Sequence, residues 1–325
     1  PMTGNLSRPA CHAGCMTDSS AHPSGPVVVT GANGLVGSRV CRVLAARGLT
    51  VRAVVRRAGT APSVPGVREW VGEFHDPEVA AAVTDGAGAV VSTVHPMGSD
   101  LDTQRRIGVE GTRTLALAAR DAGVGRFVHV STAAVYDRSP GVEAVTEAGV
   151  VVDEDGGDYP VTKRDTDAAV AEIDGLTAVL LRPPAILGAA ETSVWNVLRP
   201  AAFRDDEQAR HAVADGTFAW VHVDDLTSLA ADLADGTVVA SSDPERGPVE
   251  GRATPVNVAA GSAGDRATQR DYYETLGRAL DLEPVWDDAP AWTGHIAADR
   301  ARAWGWSPSV DLRTALAEIE DGLRA

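Results

Sequence analysis

The stretch VVVTGANGLVGSRV, residues 27–40, decides how this chain is read. Val27 to Thr30 are β-branched and favour a strand. A turn containing Gly31, Asn33 and Gly34 follows, and apolar residues then recur at helical spacing, which predicts a helix over 34–47. Each glycine has a physical use in that order of elements. Gly31 allows a tight turn, Gly34 lets the backbone approach a pyrophosphate, and Gly37 lets the helix pack closely on the strand. The helix N-terminus then points its free N–H groups at the phosphates. Strand, glycine turn and helix together imply a dinucleotide site.

Outward from this stretch, short Val-rich runs alternate with helical patterns. Strands are expected at 26–30, 50–55, 67–71, 88–93, 126–132 and 177–181, and further helices over 102–122 and 159–173. Leu115, Leu117, Ala118 and Ala119 mark the apolar side of the long helix. Near-continuous apolar strands separated by helices are what a parallel sheet covered on both faces requires. The fold expected is α/β, a Rossmann-type doubly wound parallel sheet over 26–182 with a smaller C-terminal substrate lobe over 183–325. Within that lobe, a return to the sheet is expected at about 214–240. Residues 1–25, rich in Ser, Gly, Pro and His without a period, read as a disordered leader. Cys11, His12 and Cys15 fall there without a matching second cluster, so no metal site is expected.

The 325 residues carry 29 Lys and Arg against 45 Asp and Glu, a net charge of −16. So negative a chain is poorly suited to nucleic acid or an anionic membrane surface, which leaves a small molecule as the expected partner. No run approaches the roughly 18 apolar residues of a membrane span, and no secretory signal is visible. Three cysteines cannot form a disulfide framework in a chain of this length, so a reducing, cytoplasmic setting is expected.

Of the 29 basic residues only Lys163 is a lysine, and it lies four residues after Tyr159, one of only four tyrosines. On a helix that spacing puts both on one face. An ammonium beside a phenol lowers the phenol's pKa from about 10, so Tyr159 is expected to exchange a proton near neutral pH. Ser131 and Thr132 end the fifth strand at the sheet edge where ligands of doubly wound folds bind. Arg56 and Arg57 end the second strand, where an acidic residue would bind a ribose 2′-OH. Two cations there favour a 2′-phosphate, so NADP(H) is expected over NAD(H).

In this order, TGANGLVG (30–37), VEGTRTLALAARDAGVGRFVHVSTAAVY (109–136), YPVTK (159–163), LLRPPAILG (180–188), FAWVHVDDL (218–226) and ADRARAWGWSPSVDLRTALAEI (298–319) resemble the extended short-chain dehydrogenase/reductase family. That family includes nucleotide-sugar epimerases, 3β-hydroxysteroid dehydrogenases and dihydroflavonol-type reductases. The resemblance implies that Tyr159 is the general acid/base, that Lys163 activates it and holds the nicotinamide ribose, and that Thr132 binds the substrate oxygen. It further implies that Gly31, Asn33, Gly34, Leu35 and Val36 cradle the pyrophosphate, with Glu73 and Phe74 flanking the adenine. Thr93, Val94 and His95 would line the nicotinamide ribose, and Pro183 to Ile186 would pass beside the nicotinamide ring. A homodimer built on the long helix and the Tyr159 helix is implied as well.

Three departures narrow the substrate. Pro184-Ala185 stand where the nucleotide-sugar branch usually has Asn, and Ala133-Ala134 replace the Asp-Glu pair of the sugar dehydratases. Gly108 stands where the family commonly has Asn, which removes any proton relay through that position. His222 and Asp224 read as structural, with Asp224 or Asp225 capping the next helix. The activity expected is an NADP(H)-dependent ketoreductase or alcohol dehydrogenase acting on a small, fairly apolar carbonyl/hydroxyl compound. An NAD-dependent sugar or nucleotide-sugar epimerase is the alternative, and a non-catalytic dinucleotide sensor the second.

Overall fold

The computed structural model describes residues 24–262 and 264–325. The leader's residues 1–23, with Cys11, His12 and Cys15, lie outside this range. Six strands and four helical stretches alternate through the first part: β1 Val27–Thr30, α1 Leu35–Ala46, β2 Val51–Val55, β3 Val67–Val71, α2 Pro77–Thr84, β4 Ala89–Ser92, α3 over 101–121, β5 Arg126–Val130, α4 Asp158–Ala171 and β6 Ala178–Arg182. After residue 182 come β7 Ala185–Leu187, α5 Arg199–Asp205, β8 Trp220–His222, α6 Val223–Ala234, β9 Ala253–Asn257, α7 Gln269–Leu280 and α8 Leu312–Arg324.

The central sheet has seven parallel strands in the order β9-β6-β5-β4-β1-β2-β3. Its middle strands are buried along their whole length, and this is why they read as unbroken apolar runs. At one edge, β9 carries Pro255, which an edge strand tolerates. One face of the sheet packs on α1 and α6, where Leu44, Leu226, Leu229 and Leu233 are fully buried. The other face packs on α2, α3 and α4 through Phe127, Leu115 and Leu176. Each such side chain contributes about 1.5–3 kcal/mol relative to exposure. A third cluster, with Phe203, Phe218, Trp220 and Tyr272, forms the core of the C-terminal lobe.

Several details differ from the sequence expectation. The strand that joins the sheet after residue 182 is β9 at 253–257; the stretch at 214–240 instead contributes β8, which pairs with β7, and helix α6. On the long helix the buried side chains of the apolar core are Leu115, Ala116 and Ala119, while Leu117 and Ala118 are half-buried. Its middle, Gln104–Glu110, is wound as a π-helix, a local widening common at functional sites. His222, not Asp224 or Asp225, caps α6, with Nδ1 accepting from the Asp224 amide at 3.3 Å. Asp225 instead accepts from Ser309 and Val310 and so anchors the loop before α8. Among the described residues no helix is long and apolar enough to cross a membrane, and no cluster of metal-ligating side chains occurs.

Candidate active site

A cleft of about 940 Å³ lies between the carboxyl ends of the central strands and the C-terminal lobe. The turn after β1 forms one wall. Gly31 has φ +64°, and a Cβ there would lie 2.6 Å from Thr93 Oγ1. A Cβ on Gly37 would come within 2.2 Å of the Gly31 carbonyl oxygen, so only glycine lets α1 sit this close to the strand. At Gly34 a Cβ would meet only the turn's own Gly31 oxygen, at 3.3 Å. The first turn of α1 has no side-chain cap and no acidic residue, so its N–H groups are left for an anion. This cradle fits the pyrophosphate of a dinucleotide. Asn33, Leu35 and Val36 line the same wall.

Arg56 and Arg57, both exposed, and Glu73 with the buried Phe74 line the cleft beyond β2 and β3. Thr93, Val94 and His95 line it beyond β4, and Ile186 lines it from within β7. Pro183 and Lys163 do not reach its surface. Pro183 instead accepts at its carbonyl from the Ala133 amide at 2.8 Å and from Thr132 Oγ1 at 3.4 Å, bracing the turn that carries Thr132.

Thr132 opens a short 3-10 turn, Ala133–Val135, and its Oγ1 accepts from the Ala134 amide. It lines the cleft together with Tyr159, whereas Ser131 does not. Tyr159 sits in the first turn of α4. Its pKa is raised, not lowered: burial disfavours the phenolate and Asp167 adds to the rise, while only the Thr132 hydroxyl opposes it. The reason lies one turn further along. Lys163 is 3% exposed and its Nζ donates to the Val130 carbonyl at 2.7 Å, with His129 Nε2 at 3.5 Å. Burial pushes the Lys163 ammonium down to about 8, with Asp167 working the other way. Asp167 is itself buried and paired with Arg182 at 2.9 Å.

His95 meets the Tyr159 ring edge-to-face, with centroids 5.2 Å apart. Its Nε2 lies 3.2 Å from Gln104 Oε1 and 3.3 Å from Thr162 Oγ1, so its Nε2–H tautomer donates to the amide oxygen. Burial and the nearby Lys163 push its pKa down to about 3, which keeps the ring neutral. Gln104, Thr162, His129 and Asp167 had no signal in the sequence beyond the helix and strand patterns that contain them. The far end of the cleft, lined by Arg138, Trp195, Arg199, Thr217, Phe218 and Gln269, was likewise not foreseen.

The sequence profile of the NAD(P)H-binding family matches residues 31–223, more than half of the chain. The chain is 29% identical over 231 residues to the 4-hydroxy-2-methyl-3-oxo-4-farnesyl-3,4-dihydroquinoline-1-oxide ketoreductase of Stigmatella aurantiaca, covering 68% of this chain and 64% of that protein. It is 30% identical over 186 residues to a 3 beta-hydroxysteroid dehydrogenase/Delta 5-->4-isomerase of Mycobacterium tuberculosis, covering 54% and 50%. The chain thus spans between half and two-thirds of the length of these relatives. Among solved structures, the enzyme WbmH of Bordetella bronchiseptica in complex with NAD+ superposes with a TM-score of 0.71 at 21% identity, covering 92% of this chain and 98% of that one, a likeness of fold. The glycine cradle, the parallel sheet and the matched profile place the chain in the NAD(P)H-binding family, within the extended short-chain dehydrogenase/reductases.

Proposed function

We propose that the chain is an NADP(H)-dependent ketoreductase or alcohol dehydrogenase for a small molecule with a largely apolar body. The observation that carries this is the meeting of Tyr159 and Thr132 on one cleft whose other end presents Arg56 and Arg57. When bound, the nicotinamide supplies hydride to the substrate carbon or takes it away. Tyr159, held protonated by its burial, donates its proton to the carbonyl oxygen in the reducing direction. The Thr132 hydroxyl, whose bond to the Pro183 carbonyl is a long 3.4 Å and which also meets the Tyr159 phenol, turns its hydrogen to the oxygen as negative charge develops there. Lys163, fixed on the Val130 carbonyl, holds positive charge beneath Tyr159. Arg56 and Arg57 bind a 2′-phosphate through charge-assisted hydrogen bonds. The ketoreductase named above, whose substrate is a ring ketone, supports the reaction class. The homodimer implied by the resemblance belongs to the same proposal.

The test is a side-by-side titration of the purified protein with NADPH and NADH, together with the absorbance of any cofactor that co-purifies. Preference for NADPH and an empty site as isolated are expected. Tightly retained NAD, with no net change at the nicotinamide band during turnover, would instead establish the epimerase alternative.

A further inference from the structure

We propose that Arg138 recognises a carboxylate on the substrate, so that the compound reduced or oxidised is an oxo- or hydroxy-acid with an apolar body; this rests on the reductase reading above. Arg138 stands six residues after Thr132 on the same loop and lines the same cleft. It is half-buried, and among the described residues no carboxylate lies within 4.0 Å of it and no hydrogen bond from its guanidinium is formed. The neighbouring acid is turned away. Asp137 Oδ1 accepts from the Ser139 amide at 3.0 Å and from the Ser139 hydroxyl at 2.5 Å, closing its own turn.

Of the other arginines withdrawn from solvent, Arg182 pairs with Asp167 at 2.9 Å and Arg164 with Asp165 at 2.7 Å, whereas Arg126, buried and away from the cleft, has only the Val238 carbonyl at 3.4 Å. A guanidinium carries five donors and is costly to take out of water unpaired. Burial accordingly lowers the pKa of Arg138, and no neighbouring acid counters it. What holds the side chain is an aromatic face: its guanidinium lies 5.7 Å from the centroid of Trp292, whose Nε1 is pinned on the Val142 carbonyl at 2.8 Å. A pre-set planar fork opening into a cleft matches a carboxylate in bidentate geometry. Arg199, exposed, lines the same end, 5.4 Å over Trp195 and without an acid partner among the described residues. Trp195 and Phe218 supply apolar wall beside them. The net charge of −16 favours a monoanion over a more highly charged group.

The experiment measures binding, not turnover. Protein saturated with NADP+, which occupies the Arg56 and Arg57 end, is titrated with 4-oxodecanoate, methyl 4-oxodecanoate and octyl phosphate, followed by tryptophan fluorescence. The acid is expected to bind at least about tenfold more tightly than its ester, and Arg138→Met to abolish that difference while circular dichroism shows the fold intact. Arg138→Lys should restore part of it, and Arg313→Met, on the exposed face of α8, should leave it in place. Equal binding of acid and ester, including binding of neither, overturns the assignment. So does a preference that survives in Arg138→Met, or tighter binding of octyl phosphate than of the acid. Protein that takes up no NADP+ fails the reductase reading separately, and the acid–ester comparison on the cofactor-free chain then still reports on Arg138.

Discussion

The ring of His95 occupies the space that a side chain at residue 108 would need: a Cβ on Gly108 would come within 2.8 Å of both Cε1 and Nδ1 of that ring. The missing side chain on the π-helical turn is thus matched by an imidazole from the loop after β4. That imidazole reaches across to Tyr159.

Gly108→Ala is therefore expected to destabilise. Alanine gains up to about 1 kcal/mol in helix propensity, but overpacking against a ring already held by Gln104 and Thr162 costs about 1–3 kcal/mol. In urea melts the cost should shrink when His95→Ala is made in the same chain. An equal cost in both backgrounds would show that the two residues are not coupled.

Tyr159→Phe should lower turnover by about two to four orders of magnitude while NADPH affinity stays within about twofold. Only the proton at the phenol oxygen is removed, and general acid catalysis contributes on that scale. Stopped-flow turnover with fluorescence-detected cofactor binding measures both quantities on one sample. A variant turning over at the wild-type rate would remove Tyr159 from the mechanism.

Arg56→Ala and Arg57→Ala should each weaken NADPH about 10- to 100-fold, the loss of one hydrogen bond to a charged group at about 1.5–3 kcal/mol. NADH affinity should hardly change. Equal losses for both cofactors would mean that these arginines do not meet a 2′-phosphate.

Turnover should fall as pH rises through about 8, where Lys163 loses its proton. Because Asp167 holds that pKa up, Asp167→Asn should move the limb to lower pH, at a cost in stability from leaving Arg182 unpaired. For folding the sign is opposite to that of activity. The folded chain binds this proton less tightly than the unfolded chain, so the Lys163 contribution makes stability rise with pH between about 8 and 10.5. A pH–rate profile and urea midpoints across pH 7–11 separate the two effects.

The alternation of Val-rich runs and helical periods was enough to place β1 to β6 and helices α1, α3 and α4, though not the short α2, because a strand buried on both faces must be apolar along its whole length. The glycine turn was legible for a similar reason: Gly31 and Gly37 are dictated by local backbone geometry, which any neighbouring sequence reveals. The rest of the cleft was not. β9 reads no differently from the short runs around it, and His222, a residue outside the usual set of helix caps, takes the place of the expected aspartate by accepting from the Asp224 amide.

The sequence by itself determined the parallel sheet, the phosphate-binding turn and the pairing of Tyr159 with Lys163 on one helix, since these depend on periods and spacings within short segments. Only the tertiary structure decided what surrounds them. Burial raises the Tyr159 pKa, the Lys163 ammonium turns to the Val130 carbonyl instead of the cleft, His95 fills the space at Gly108, and among the described residues Arg138 is left without an acid. Desolvation and side-chain contact arise between segments far apart in the chain, and so appear only once the sheet and the lobe have closed on one another.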